Sequence, residues 1–132
     1  MTSKTKEQTR MSFRRAFEAE HARRDAERRE REDAERRQQE EDLARAETLF
    51  GALNADADFL AAKGLTVDRR RYTVSLDHAA FRIATYFDGG SALVTSADKR
   101  TSPGAAPRRQ ETVESVEDEL RMMAQFLADE TR

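Results

Sequence analysis

Cysteine is absent from the 132 residues, which excludes disulfides, thiolate metal sites and a cysteine nucleophile. The lack of cysteine fits a reducing compartment. No window approaches the ~20 apolar residues of a membrane span, and no apolar signal core follows Met1. The expectation is a soluble, cytoplasmic chain. Histidine is also scarce, with two in the whole sequence. His21 and His78 stand far apart, and no Asp/Glu cluster at ligand spacing accompanies them, so no metal site is expected. Five glycines are present, and Gly89-Gly90 is the one pair. It lacks the GxxxxGK[ST] context of a phosphate loop. Both prolines fall within 98–110, "DKRTSPGAAPRRQ".

Charge is in excess: 38% of residues are charged, against roughly 25% in an ordinary domain. It is unevenly spread. Net charge by segment runs +4 over 1–17, −4 over 18–42, −1 over 43–63, +4 over 64–110 and −5 over 111–132. A nucleic-acid-binding domain shows a basic surplus overall; here it is local.

Residues 22–42, "ARRDAERREREDAERRQQEED", contain only alanine as apolar side chains. They have high helix propensity throughout. Glu20–Arg24, Arg23–Glu27, Asp25–Arg29, Glu27–Arg31, Arg28–Glu32, Glu32–Arg36 and Asp33–Arg37 are spaced i, i+4, each pair adding roughly 0.2–0.5 kcal/mol to a helix. The a/d repeat of a coiled coil is missing, because the stripe begun by Phe13, Ala16 and Phe17 runs into charge. A solvated helical arm over 12–42 is the reading, with a partner-dependent coiled coil and an Arg-rich nucleic-acid arm as alternatives. Residues 1–11 read as a disordered tail, or Met11 as the true start.

At Leu43 the pattern becomes amphipathic. Leu43, Ala46, Phe50, Leu53, Ala57 and Leu60 predict a helix over 43–63, with Gly64 as its C-cap and a possible break at Asn54 or Asp56. Period-two alternation follows through Tyr72, Val74, Leu76 and then Phe81, Ile83, Phe87, with "DGGS" as a hairpin turn. Strands are expected over about 70–97, although 78–88 also admits a helical reading. A loop over 98–110 and a helix over 111–130 complete the head, the latter with acids in its first turns and a stripe of Val113, Val116, Leu120, Met123 and Leu127 flanked by Met122 and Phe126. The fold class is α+β: a long charged N-terminal helix, a three-stranded antiparallel β-meander, and an amphipathic C-terminal helix packed on the sheet. The head spans 43–130.

Candidate chemistry is sparse. Ser75, Asp77 and His78 suggest a triad only superficially, since adjacent residues of a strand point to opposite faces; His78 reads as an exposed turn residue. No catalytic, cofactor-binding or metal-binding residue is expected. Arg69, Arg70 and Arg71 before the meander, with Lys99, Arg100, Arg108 and Arg109 around the proline-containing loop, form the candidate partner-binding set, and the meander could bring them into one patch. That patch would meet an acidic protein surface, or the acidic C-terminal helix of this chain or a second one. The expected function is a non-enzymatic protein-interaction module (adaptor, assembly factor or regulator). A homodimer through the 43–60 or 113–127 helices is possible. The alternative is a nucleic-acid-associated protein using the basic patch beside the sheet aromatics.

Overall fold

A computed structural model describes residues 10–100 and 109–131. The element order is α1 (Phe13–Asn54), α2 (Ala57–Ala62), β1 (Thr66–Arg70), β2 (Thr73–Asp77), β3 (Phe81–Asp88), β4 (Ser91–Asp98), β5 (Arg109–Val113) and α3 (Val116–Glu130). The chain divides into two compact units, 1–37 and 38–132. The expected disordered tail falls largely on residues outside those described.

In the first unit the Ser12 hydroxyl accepts the Arg15 amide at 3.1 Å and caps the start of α1. Ion pairs then line the helix. Arg24 meets Glu20 at 2.9 Å and Arg23 meets Glu27 at 2.7 Å, both four residues apart. Arg28 reaches Glu32 only at 3.9 Å and prefers Asp25, three residues back, at 2.9 Å. Arg23 likewise takes Glu20 and Arg36 takes Asp33 at i, i+3. Paired to Arg23 and Arg24, the Glu20 carboxyl is held down at about 2. All these side chains are solvated, so the pairing is screenable. A peptide of residues 12–37 should lose helicity on going from low to molar salt, followed by circular dichroism. Unchanged helicity would assign the helix to backbone propensity alone.

The second unit is a five-stranded antiparallel sheet in the order β1-β2-β3-β4-β5, with helices on one face. The three-stranded expectation is corrected at both edges. β1 pairs with β2 from Thr66↔Asp77 to Arg70↔Thr73. The turn between them has no glycine, and Arg71 itself takes the left-handed conformation at φ 52°. β5 pairs with β4 from Ala92↔Val113 to Ser96↔Arg109. It occupies the end of the expected loop and the start of the expected helix. α3 therefore begins at Val116, capped by Ser115, whose side chain accepts the Asp118 amide at 3.1 Å. Residues 81–88 are strand, which resolves the helical alternative.

The helix expected over 43–63 is two helices. α1 ends at Asn54 and α2 starts after Asp56. α2 closes in a Schellman turn: Gly64 at φ 78° donates to Ala61 O and Leu65 to Leu60 O, each at 2.9 Å. Leu60 and Leu65 are both buried there.

Strand alternation sends Val74, Leu76, Phe81, Ile83, Phe87, Ala92 and Val94 to the helical side. They pack with Ala46, Leu49, Leu53, Leu60, Met123 and Phe126 in one core. The β3–β4 turn is tied to α1. Gly89 and Gly90, at φ 59° and 88°, turn their amides onto the buried Asp42 carboxylate at 3.0 and 3.1 Å. Arg45, one helical turn on, donates to Gly90 O and lies 5.2 Å from the centre of the Phe87 ring.

Candidate docking groove

The sequence-predicted basic residues do not form one patch. Register puts Arg70, Thr73, Tyr86, Leu93 and Thr112 in one row across the sheet, and Asp77, Arg82 and Ala97 in a row near the other end. Arg69, Arg70 and Arg71 stand at the first end. Lys99 and Arg100 follow β4, and Arg109 opens β5, at the second. Antiparallel β1–β4 must alternate ends, which separates the clusters. Arg108 lies outside the described residues.

Most of these cations are already engaged. Lys99 donates to His78 O at 2.9 Å and meets Asp77 at 3.3 Å. Arg100 bridges Asp98 and Glu130, both at 3.3 Å. Arg109 pairs with Asp129 and covers the Phe126 ring at 4.5 Å. Arg100 and Arg109 of the second cluster thus meet the acidic C-terminal helix of their own chain, while Lys99 meets the end of β2. Arg69 reaches Glu47 at 3.7 Å and lies over Phe50. Arg71 lies over Tyr72. Arg70, paired with Asp68 at 3.2 Å, is 86% exposed.

The triad residues also separate by role. Ser75 donates to Asp77 at 3.1 Å, while His78 Nδ1 accepts the Ala80 amide at 3.0 Å and the ring stacks on Phe81 at 4.4 Å. His78 is half-buried rather than exposed, holding the β2–β3 turn.

Among the described residues, two concave regions bear on function. One, of about 190 Å³, is lined by Ala44, Arg45, Thr48, Glu114, Ser115, Val116 and Glu119. Arg45 meets Glu119 there at 3.4 Å. Burial pushes the Glu119 carboxyl up to about 7, against the pull of Arg45 and with a small push from Asp118. Such a carboxyl is a candidate acid–base group; the two hydroxyls lining the same concavity have backbone partners, Thr48 Oγ1 donating to Ala44 O and Ser115 Oγ accepting the Asp118 amide.

The Glu119 carboxyl does carry a stability signature. Its folded pKa lies above the ordinary carboxyl value of 4.5, so folding favours its protonated form. That contribution is full below about pH 4.5 and is lost as pH rises through about 7. Glu119→Gln should flatten the fall of stability with rising pH in that window, read from urea midpoints. A parallel pH profile in the variant would contradict the assignment.

The second concavity is an apolar groove between α2 and α3. One lobe, about 230 Å³, is lined by Leu53, Asp56, Phe59, Leu60, Leu76, Leu120, Met123, Ala124 and Leu127. Another, about 250 Å³, shares Phe59, Ala124 and Leu127 and extends to Lys63, Ala128 and Thr131. The groove exists because the buried stripe of α3 runs through Glu119, Met123 and Phe126, rotated from the expected one. Leu120 and Leu127 are left half-buried at its border. On α2, a helix of six residues, Leu60 fills the core while Phe59 stays 54% exposed. Asp56 and Asp58 stand at the start of α2, both exposed.

Sequence reasoning missed this groove. The available signals were Phe59, an aromatic that widens the apolar stripe at its edge, and Glu119, an acid at a core position of an amphipathic helix. Among the described residues no helix is long and apolar enough to cross a membrane. No family model matches the chain, and no curated protein or solved structure does so either.

Proposed function

We propose that the chain is a non-enzymatic protein-interaction module of the adaptor, assembly-factor or regulator kind. Its α2–α3 groove receives a short basic helix that carries two aromatic side chains. The observation that carries this reading is the continuous apolar surface joining both lobes through Phe59, Ala124 and Leu127, with Asp56 and Asp58 beside it. Apolar concavities with a charged margin are what amphipathic helices use as docking sites. The acids select a basic partner over an acidic one. Nucleic-acid binding through the head's cations is the weaker proposal, because Lys99, Arg100 and Arg109 are held by carboxylates.

A labelled synthetic helix tests the reading, with two phenylalanines four residues apart among arginines and otherwise unrelated to this chain. Fluorescence anisotropy should show saturable binding to the full chain. Ala124→Glu places a carboxylate on the groove floor without touching the core, and should weaken binding about tenfold or more. Arg70→Glu should leave it unchanged. Equal binding by wild type and Ala124→Glu, or loss on Arg70→Glu, would move the site away from the groove.

A further inference from the structure

The chain carries its own match for this groove. Phe13 is 87% exposed and Phe17 59%, at the start of a helix in which alanine is the sole apolar residue type over the next stretch, 18–42. Four residues apart, they share one helical face. Arg10, Arg14 and Arg15 surround them, and Glu18 follows. Among the described residues of the first unit, the ring contact made by these two side chains is the stacking of Phe17 with His21 at 5.8 Å. Within one chain both phenylalanines are exposed, as are the groove residues Phe59 and Ala124.

We propose that the N-terminal turns of α1 in one copy seat Phe13 and Phe17 in the α2–α3 groove of a second copy. This rests on the groove being a docking site and names its occupant. Size agrees: an apolar cavity of about 150 Å³ accepts a benzene ring, and the groove offers two adjoining lobes of about 230 and 250 Å³. Charge agrees as well. The arginines around Phe13 face a groove with Asp56 and Asp58 at one end, and Glu18 lies one turn further toward the end that holds Lys63. The segment runs from basic to acidic and the groove from acidic to basic, so one orientation satisfies both ends. The contact is heterologous, with different surfaces on each side. It therefore either closes as a reciprocal pair or propagates head to tail.

Sedimentation velocity on the full chain, from low to high micromolar, tests this. The wild type should show mass rising with concentration. Phe13→Ala with Phe17→Ala should weaken association about tenfold or more, and Ala124→Glu should do the same. Both changes lie on exposed positions, and circular dichroism verifies folding. An equimolar mixture of the two variants restores one intact contact, so it should associate more strongly than either variant alone. Association that survives the double phenylalanine variant would overturn the proposal and favour helix-on-helix pairing. A mixture no better than its components would overturn it too. A wild type that stays monomeric while still binding the synthetic helix would overturn self-association and leave the groove's docking role standing. A monomer that binds no helix would remove both.

Discussion

Phe126→Ala should destabilise the folded head by about 3–5 kcal/mol, the range for removing a fully buried aromatic side chain. Phe126 is 0% exposed. It anchors α3 against the sheet, and Arg109 covers its ring from β5. Truncation therefore loosens the helix and the edge strand together. Domains of this size are stable by about 5–15 kcal/mol, so the variant should show a sharply lower urea midpoint. Leu120→Ala is the informative comparison. The sequence pattern put Leu120 on the buried stripe, but it is half-buried at the groove margin, and a partly exposed side chain loses less burial energy when truncated. Its cost should fall clearly below that of Phe126→Ala. Equal costs would mean that α3 is rotated toward the stripe read from sequence.

Asp42→Ala is the other large effect. The Asp42 carboxylate accepts two adjacent glycine amides and, at 3.3 Å, the Gln38 side-chain amide. Hydrogen bonds to a charged group contribute about 1.5–3 kcal/mol each, and stranded donors add a desolvation cost. A loss of about 2–4 kcal/mol is expected. Asp42→Asn should not restore the loss, because only one of its two terminal atoms accepts. Hydrogen exchange gives a local readout: the Gly89 and Gly90 amides should be protected in wild type and exchange fast in Asp42→Ala. Slow exchange in both proteins would mean that the turn is held by Arg45 and its own strand pairing instead.

Asp42 also shows where sequence reading stopped. The apolar pattern starts at Leu43, and nothing in "QQEED" marks one acid among its neighbours as buried. Its role depends on Gly89 and Gly90, 47 and 48 residues away, and sequence alone does not supply that proximity. The hairpin glycines were legible because a two-residue turn needs positive φ, yet their amides read as an ordinary turn rather than a carboxylate seat. β1 was hidden by Arg71, which takes a conformation that sequence rules reserve for glycine, asparagine or aspartate. β5 was hidden by its chemistry. "RQETV" is exposed at four of its five positions, so it shows no apolar alternation, and its acid reads as a helix start. A charged edge of this kind also discourages strand-to-strand aggregation.

The α+β class, the long charged helix and the C-terminal helix were legible because each rests on composition or period. The groove was not. A helical stripe tells which side faces inward, but not where a short second helix leaves that stripe half covered. Phe59 and Leu127 look like core residues in sequence; only the shortness of α2 and the rotation of α3 make them a surface. The expected single basic patch is a matter of topology. The meander was expected to return near its start, whereas antiparallel β2, β3 and β4 begin at one end and finish at the other, with Arg69–Arg71 and Lys99–Arg100 at opposite ends of the sheet.

The central claim is that the α2–α3 groove is a docking surface for an aromatic-bearing basic helix. Two-dimensional amide NMR of the full chain, titrated with the synthetic two-phenylalanine helix, tests it most directly. The account predicts shifts concentrated at Asp56–Lys63 and Leu120–Thr131, with Arg69–Arg71 unmoved. Shifts centred on Arg69–Arg71 or on the open face of the sheet, with α2 and α3 silent, would contradict it.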